Sequence, residues 1–288
     1  TFTLQPLCKY FVIMAYLRLK DYYINIQPTQ LNQITANDPT VRILAEQRAQ
    51  EEIISRLTQK YDTAKEFKDT VQWSVSTSYK GGDLVYLDAI PYTNIETYAI
   101  NDMVSQNGSV YINVTPVTST ETFDAAKWSK IGVQHDLFHV TLPKPEFNIT
   151  TKYAIGDEVF YNDKTYTSVR ESIGIYPDDT TYGTQYWGTG TSYSVTAGTL
   201  PTDTSKWTAG DNRSQKIVEV MIDIALYKIH SRIATNNVPE IREMNYAAAT
   251  AWLKACAEGD VTADIPVILP RQGNRIRHGG VQKQYNHY

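Results

Sequence analysis

Residues 214–233, SQKIVEVMIDIALYKIHSRI, constrain this chain more than any other stretch. Wound as a helix, they carry apolar side chains on nearly every side: Ile217, Val218, Val220, Met221, Ile222, Ile224, Ala225, Leu226 and Ile229. Such a helix has no solvent face to spare and must be enclosed by protein. Glu219, Asp223, Lys228 and His230 interrupt it, so it is too short and too polar to span a bilayer. The stretch that follows has ordinary helix punctuation, with Pro239 at the first position, Glu240 and Glu243 in the first turn and Gly259 at the exit. Its expected buried face is Ile241, Ala248, Ala251, Trp252, Ala255 and Cys256, and the short linker between the two predicts an antiparallel pair.

A third helix is predicted from Pro39 to Lys60, with Asp38 as N-cap. Val41, Leu44, Ala45, Ala49, Ile53, Leu57 and Tyr61 repeat at helical spacing, opposite a face of Glu, Gln, Arg and Lys. At about 1.5 Å per residue it spans roughly 33 Å and needs an apolar partner, which the helix at Ile217 provides. A shorter helix, capped by Thr29, is expected through Ile34. The apolar run Leu7–Leu19 reads as a strand or a short helix against this body.

Formal net charge is -4, without the basic balance of a nucleic-acid binder. Cys8 and Cys256 lie far apart with no metal-ligand spacing and read as free thiols. The apolar run near the start is broken by Arg18 and Lys20 and lacks a small-residue cleavage site, so a cytoplasmic product is expected.

Between Tyr79 and Trp207 helical periodicity stops and alternation begins, in a region rich in Thr, Ser, Tyr, Gly and Asp. Tyrosine, with 21 residues against 7 phenylalanines, suits this half-buried β-structure better than an aliphatic core. Here Ser78–Tyr92, Thr97–Tyr111 and Lys152–Tyr166 align without a gap. Each has a Tyr, then Asp four residues on (Asp83, Asp102, Asp157), Val six on (Val85, Val104, Val159) and Tyr thirteen on (Tyr92, Tyr111, Tyr166). The pattern predicts three β-hairpins with the valines inward. Trp128, Trp187 and Trp207 follow in closing segments and are expected to complete the hairpin cores.

The fold class expected is α+β: a bundle of three to four helices, in parts 1–73 and 212–262, interrupted by a β-rich insertion at 74–211. The tail, 263–288, has no acidic residue after Asp264 but carries Arg271, Arg275, Arg277 and Lys283. It is expected to extend from the body and dock on a partner, with the three arginines spaced to meet carboxylates or phosphates, an acidic protein surface being favoured, and Tyr285 and Tyr288 as anchors.

The helical stretches AEQRAQEEIISRLTQKYD and VEVMIDIALYKIHSRIATNNVPEIREMNYAAATAWLKACAEGDVTADIP resemble the head–tail connector proteins of tailed bacteriophages, in particular those of Mu-like phages and the ring proteins of crAss-like phages. The resemblance covers about 21–67 and 214–266. It implies a helical adaptor in a twelve-fold homo-oligomeric ring beneath the portal protein, contacting further tail or ring proteins at the virion's head–tail junction. It further implies assembly in the host cytoplasm, tails docked on neighbouring subunits, and genomic DNA passing without sequence-specific binding. It carries over no catalytic residue, cofactor or metal. The repeats separately resemble the Tyr- and Trp-bearing hairpins of small carbohydrate-binding modules, which makes a glycan- or surface-binding protein the alternative.

Individual residues add no catalytic signal. His135 and His139 flank Asp136 at zinc-like spacing, but the segment reads as a strand and lacks a third ligand. His230 has no nucleophile or carboxylate motif beside it. Asp83, Asp102 and Asp157 lack the multi-oxygen loop that calcium needs and read as turn caps. The glycines at Gly81 and Gly188 open no phosphate-binding helix.

Overall fold

The computed structural model describes residues 16–233 and 238–268. The fold is α+β. After a 3-10 turn at Leu19–Ile24 come α1 (Pro28–Ile34), α2 (Pro39–Leu57) and α3 (Thr63–Glu66). The strands β1 (Thr70–Gln72), β2 (Tyr79–Lys80), β3 (Leu84–Tyr86), β4 (Met103–Gln106), β5 (Ser109–Asn113), β6 (Trp128–Val133), β7 (Leu137–Val140), β8 (Glu158–Tyr161) and β9 (Lys164–Thr167) follow. Then come α4 (Gly183–Tyr186), β10 (Thr191–Ser192), β11 (Ser194–Val195), β12 (Trp207–Ala209), α5 (Gln215–Ile233) and α6 (Glu240–Glu258). Two compact units divide these elements: 16–142 with 194–268, and 143–193.

α5 is enclosed, as its sequence demands. Ile217, Ile224, Ala225 and Leu226 have no exposed surface, and α2 and α6 both pack on it. α2 starts where Asp38 accepts the Thr40 N–H at 2.9 Å, with Pro39 at its first position, and buries Val41, Ala45, Ala49, Ile53 and Leu57. Leu44, expected on that face, is exposed. α6 ends at Gly259, whose φ of 96° few side chains tolerate. Its buried face is Ala249, Leu253 and Cys256, so Ile241, Ala248 and Ala251 turn out to be exposed. Polar contacts lock the three helices together: Glu52 accepts from Lys228 Nζ at 2.8 Å and from Tyr246 Oη at 3.1 Å, and the rings of Tyr227 and Tyr246 stack at 4.2 Å.

The β-rich region is one module repeated three times, the first copy split by the other two. In the inserted copies β4 pairs with β5 and β8 with β9, which places Val104 opposite Tyr111 and Val159 opposite Tyr166. Those are two of the predicted hairpins. The first repeat is not a hairpin. Its β3 pairs with β7, so Val85 faces Phe138 in place of the predicted Tyr92. Tyr92 instead opens the second copy: its N–H donates to Ser105 O at 2.9 Å, as Trp73 donates to Tyr86 O and Phe147 to Phe160 O, both at 2.9 Å. The tryptophan closes each copy on the return strand, Trp207 opposite Val140, Trp128 opposite Asn113 and Trp187 opposite Ser168. Tyr79–Trp207, Tyr98–Trp128 and Tyr153–Trp187 meet edge to face with centroids at 5.3, 5.3 and 5.2 Å.

Residue spacing shows where the first copy is interrupted. From Asp102 to Tyr111 and from Asp157 to Tyr166 are 9 residues, whereas Asp83 to Phe138 is 55. From Asn113 to Val117 and from Ser168 to Ser172, the residues bridged to the repeat tyrosines, are 4, whereas Val140 to Val195 is 55. The second copy lies in the first gap, and residues 143–193 fill the second.

The predicted tail starts later than its sequence suggests. Ala263 and Ile265 are buried, the Ala263 N–H donates to Tyr61 Oη at 3.1 Å, and the Ile268 N–H donates to Lys60 O at 2.9 Å. Residues 263–268 thus lie on the helical body instead of leaving it. Arg271, Arg275, Arg277, Tyr285, Tyr288 and Cys8 lie outside the described residues.

Candidate functional site

Three surfaces compete for a role: the repeated turns, a buried polar junction beside α5, and a groove along α6. The turns are built alike. The Asp at each turn's end accepts an N–H with its own carboxylate: Asp83 from Lys80 at 2.8 Å, Asp102 from Ala99 at 2.7 Å, Asp157 from Ala154 at 2.7 Å. The residue before each Asp takes positive φ, with Gly82 at 76°, Asn101 at 74° and Gly156 at 92°. The N–H of that residue donates to the return strand, to Val140 O at 3.1 Å, Asn113 O at 3.0 Å and Ser168 O at 2.8 Å. A fourth turn of this construction, Val133–Asp136, has no repeat tyrosine: Asp136 accepts the Val133 N–H at 2.9 Å and His135 sits at φ 71°. The repeat aspartates are therefore turn closures, as their spacing implied.

Each repeat tyrosine also brackets a loop five residues upstream. The hydroxyls of Tyr79, Tyr98 and Tyr153 accept the N–H of Ser74, Thr93 and Asn148 at 2.7, 2.9 and 2.7 Å. Val85, Val104, Val159, Trp128, Trp187 and Trp207 are all buried. Among the described residues only Tyr23 and Tyr182 are exposed large aromatics.

The polar junction centres on Arg213, just before α5. Its guanidinium reaches Asp211 Oδ2 at 2.7 Å, Asp21 Oδ2 at 2.8 Å and Tyr16 O at 2.6 Å. Burial alone would depress the arginine's pKa, but the two carboxylates outweigh it and hold the charge in place. Burial likewise works against the Asp21 and Asp211 charges, yet Arg213 keeps both carboxyls below the usual carboxylate range. Glu66 Oε1 completes the junction, accepting from Tyr16 Oη at 2.6 Å and from the Ser214 N–H at 3.0 Å. Every charge here has a partner, which marks a structural latch.

The groove, about 660 Å³, runs beside α5 and α6 and is lined by Ile24, Asn25, Val218, Asp223, Ile241 and Asn245 among others. Asp223 lies in its wall, 8% exposed, with Oδ1 accepting from Asn25 at 3.4 Å and Asn245 at 3.1 Å. Burial pushes its pKa up, only partly countered by the Asn245 hydrogen bond. Ile24 and Ile241 are 93% and 57% exposed. Sequence reading missed this groove because its walls come from segments about two hundred residues apart.

His139 Nδ1 lies 3.3 Å from Gly210 O, and Asp136 is spent on its turn. Burial, then Arg242, lowers the pKa of His230. Among the described residues no group of three His, Cys, Asp or Glu could hold a metal ion, and no helix is long and apolar enough to cross a membrane. No protein-family model and no curated protein matches this chain.

Proposed function

We propose that this chain is a structural adaptor of a tailed-bacteriophage head–tail junction, a non-enzymatic ring protein that sits beneath the portal and joins capsid to tail. In that role the helical body forms a homo-oligomeric ring in the virion, assembled in the host cytoplasm, around a channel that DNA crosses without sequence-specific contact. The repeat modules are peripheral interfaces for portal, tail or further ring proteins. Residues 269–288, basic and free of acid, suit an acidic protein surface by composition.

The observation that carries this reading is the helical body. The segments bearing the connector resemblance come together as α2, α5 and α6 although the whole β-rich region separates them in sequence. That body completes its own core, yet leaves Ile24 and Ile241 exposed along one groove and Met244 exposed on α6. Contiguous exposed aliphatics on a closed core suit a protein–protein contact better than a reaction site. Native mass spectrometry and electron-microscope imaging of the purified chain, alone and with portal, test the reading. Closed rings of fixed stoichiometry are expected, twelve-fold by the resemblance. A chain that stays monomeric in both settings overturns it.

A further inference from the structure

The four Asp-closed turns share a construction but not a tip. In the split module the tip is Gly81, and the chain covers it: Lys68 Nζ donates to Gly81 O at 3.2 Å, and Asn212 Nδ2 to Gly82 O at 3.1 Å. In the fourth turn the tip is Gln134, whose Nε2 donates to Ala89 O at 3.0 Å and to the Asp88 carboxylate. In both inserted modules the tip is isoleucine, Ile100 at 55% and Ile155 at 70% exposure. Turn chemistry does not ask for it, since glycine and glutamine serve the same position elsewhere in the chain.

A second aliphatic accompanies each tip. Asn101 and Gly156 donate to Asn113 and Ser168, and the next residues, Val114 and Val169, are exposed as well. The same Ile–Val pair therefore faces solvent in both modules, although their sequences diverge around it, as at Thr97 against Lys152 and Pro116 against Glu171. Where the chain covers a tip, the tip is not aliphatic. Where it leaves one bare, the tip is isoleucine.

We propose that the Ile155–Val169 tip of residues 143–193 docks into the Ile24–Ile241 groove of a second copy of this chain. The turn already serves as a contact element within one molecule, where the split module's tip meets Lys68 and Asn212. Both proposed faces expose aliphatics, Ile155 and Val169 on the tip and Ile24 and Ile241 along the groove, and both carry an exposed ion pair. Lys152 lies 2.8 Å from Glu171 beside the tip, and Lys216 lies 2.9 Å from Glu219 at the groove. Exchange of partners between those pairs fixes register while the aliphatics supply the burial. The 89–134 module has Thr97 and Pro116 at the corresponding positions and lacks that edge. A contact between two different surfaces of identical chains propagates head to tail, and closes into a ring when the rotation between copies closes, so this inference rests on the ring reading and names its interface.

The test is native mass spectrometry of the full chain as wild type, Ile155→Gln, Ile155→Asp, Ile241→Asp and an equimolar mixture of Ile155→Asp with Ile241→Asp. Gln134 occupies the equivalent turn, so Ile155→Gln keeps the fold, and unchanged far-ultraviolet circular dichroism checks each variant. Wild type is expected to assemble and each variant to lose species above monomer. The mixture is expected to stop at dimers, because only one of its four tip–groove combinations is intact. Variants that assemble like wild type overturn the contact and leave the ring reading standing. Loss with Ile155→Asp but not with Ile241→Asp also overturns it, because the tip then meets some other surface. A wild type that never exceeds monomer, alone or with portal, fails the ring reading itself and takes this contact with it.

Discussion

The helical body and the 143–193 module solve the same problem with different side chains. The body buries Ile, Leu, Val and Ala along three helices, and α5 alone places Ile217, Val220, Met221, Ile224, Leu226 and Ile229 in its core. The module has few aliphatics to bury. Its core is Tyr153, Val159, Tyr166 and Trp187, with Phe147, Tyr161, Ile175 and Tyr186 packed around it. A chain of about fifty residues hides too little surface for methyl groups alone. Large rings hide more area per residue, and their polar tips can be tied down. The Trp187 indole N–H donates to Ile175 O at 2.9 Å, and the Tyr153 hydroxyl accepts from Asn148 and donates to its carbonyl at 3.2 Å. The Trp128 indole in the sister module finds no acceptor among the described residues. The 143–193 core thus adds fixed hydrogen bonds to burial, whereas the buried side chains of α5 are almost all aliphatic.

The sharpest way to break that comparison is to place a charge in each core. Ile224→Asp puts a carboxylate at the fully buried centre of α5 and should cost about 5 kcal/mol, enough to abolish the body's cooperative melt in far-ultraviolet circular dichroism. Val159→Asp should cost about 3–4 kcal/mol and act on one unit only. Hydrogen exchange should then accelerate across residues 153–187 while α5 stays protected. Equal acceleration in α5 would mean that 143–193 is not a folding unit of its own.

How much of this was legible in the sequence varied with the distance between partners. The helices 39–57, 215–233 and 240–258 follow from local periodicity and caps, and the repeats from their fixed Tyr–Asp–Val spacing. The face of α6 was misread because Ala247, Ala248, Ala249, Ala251 and Ala255 surround the helix with small apolar residues, so no stripe dominates. The first hairpin was misread because Tyr92 falls at the repeat's spacing, while the true return strand, β7, lies 55 residues beyond Asp83. Periodicity cannot report a pairing across an inserted module. The fourth turn was hidden by the missing tyrosine, although Asp136 before the alternating run Leu137–Val140 carries its signal. Arg213 gave no hint of its role, since its partner Asp21 stands 192 residues away.

That junction gives the next test, because it ties segments of the body together through a buried arginine and its carboxylates. Asp21 and Asp211 have folded-state pKa values below those of the unfolded chain. Their contribution is therefore present above the ordinary carboxylate pKa of about 4, and fades as pH falls below it toward the folded values. Urea midpoints of the body should drop through that window while those of the 143–193 module change less. Arg213→Met should cost about 2 kcal/mol at neutral pH by leaving Asp211 without its cation and Asp21 with Arg18 alone, and should flatten the acid limb. A variant that keeps the wild-type acid limb would show that other carboxylates set it.

The smallest effect separates the copies from one another. Asp83, Asp102 and Asp157 each accept one turn N–H at nearly the same distance, so removal of each carboxylate should cost a similar local amount, about 1 kcal/mol. Their surroundings differ. The turn at Asp83 is also held by Lys68 and Asn212 through the carbonyls of Gly81 and Gly82, and Lys68 Nζ stands 3.8 Å from Asp83 itself. The turns at Asp102 and Asp157 project exposed isoleucines and depend on their own closure. Asp102→Ala and Asp157→Ala should therefore speed exchange of the Ala99 and Ala154 amides with little change in the body's melt. Asp83→Ala should leave the Lys80 amide better protected than its two counterparts, because the helical body still holds that tip. Equal loss of protection in all three would mean that the contacts of Lys68 and Asn212 do not stabilise the turn, and that the split module stands on the body no more firmly than its inserted copies stand alone.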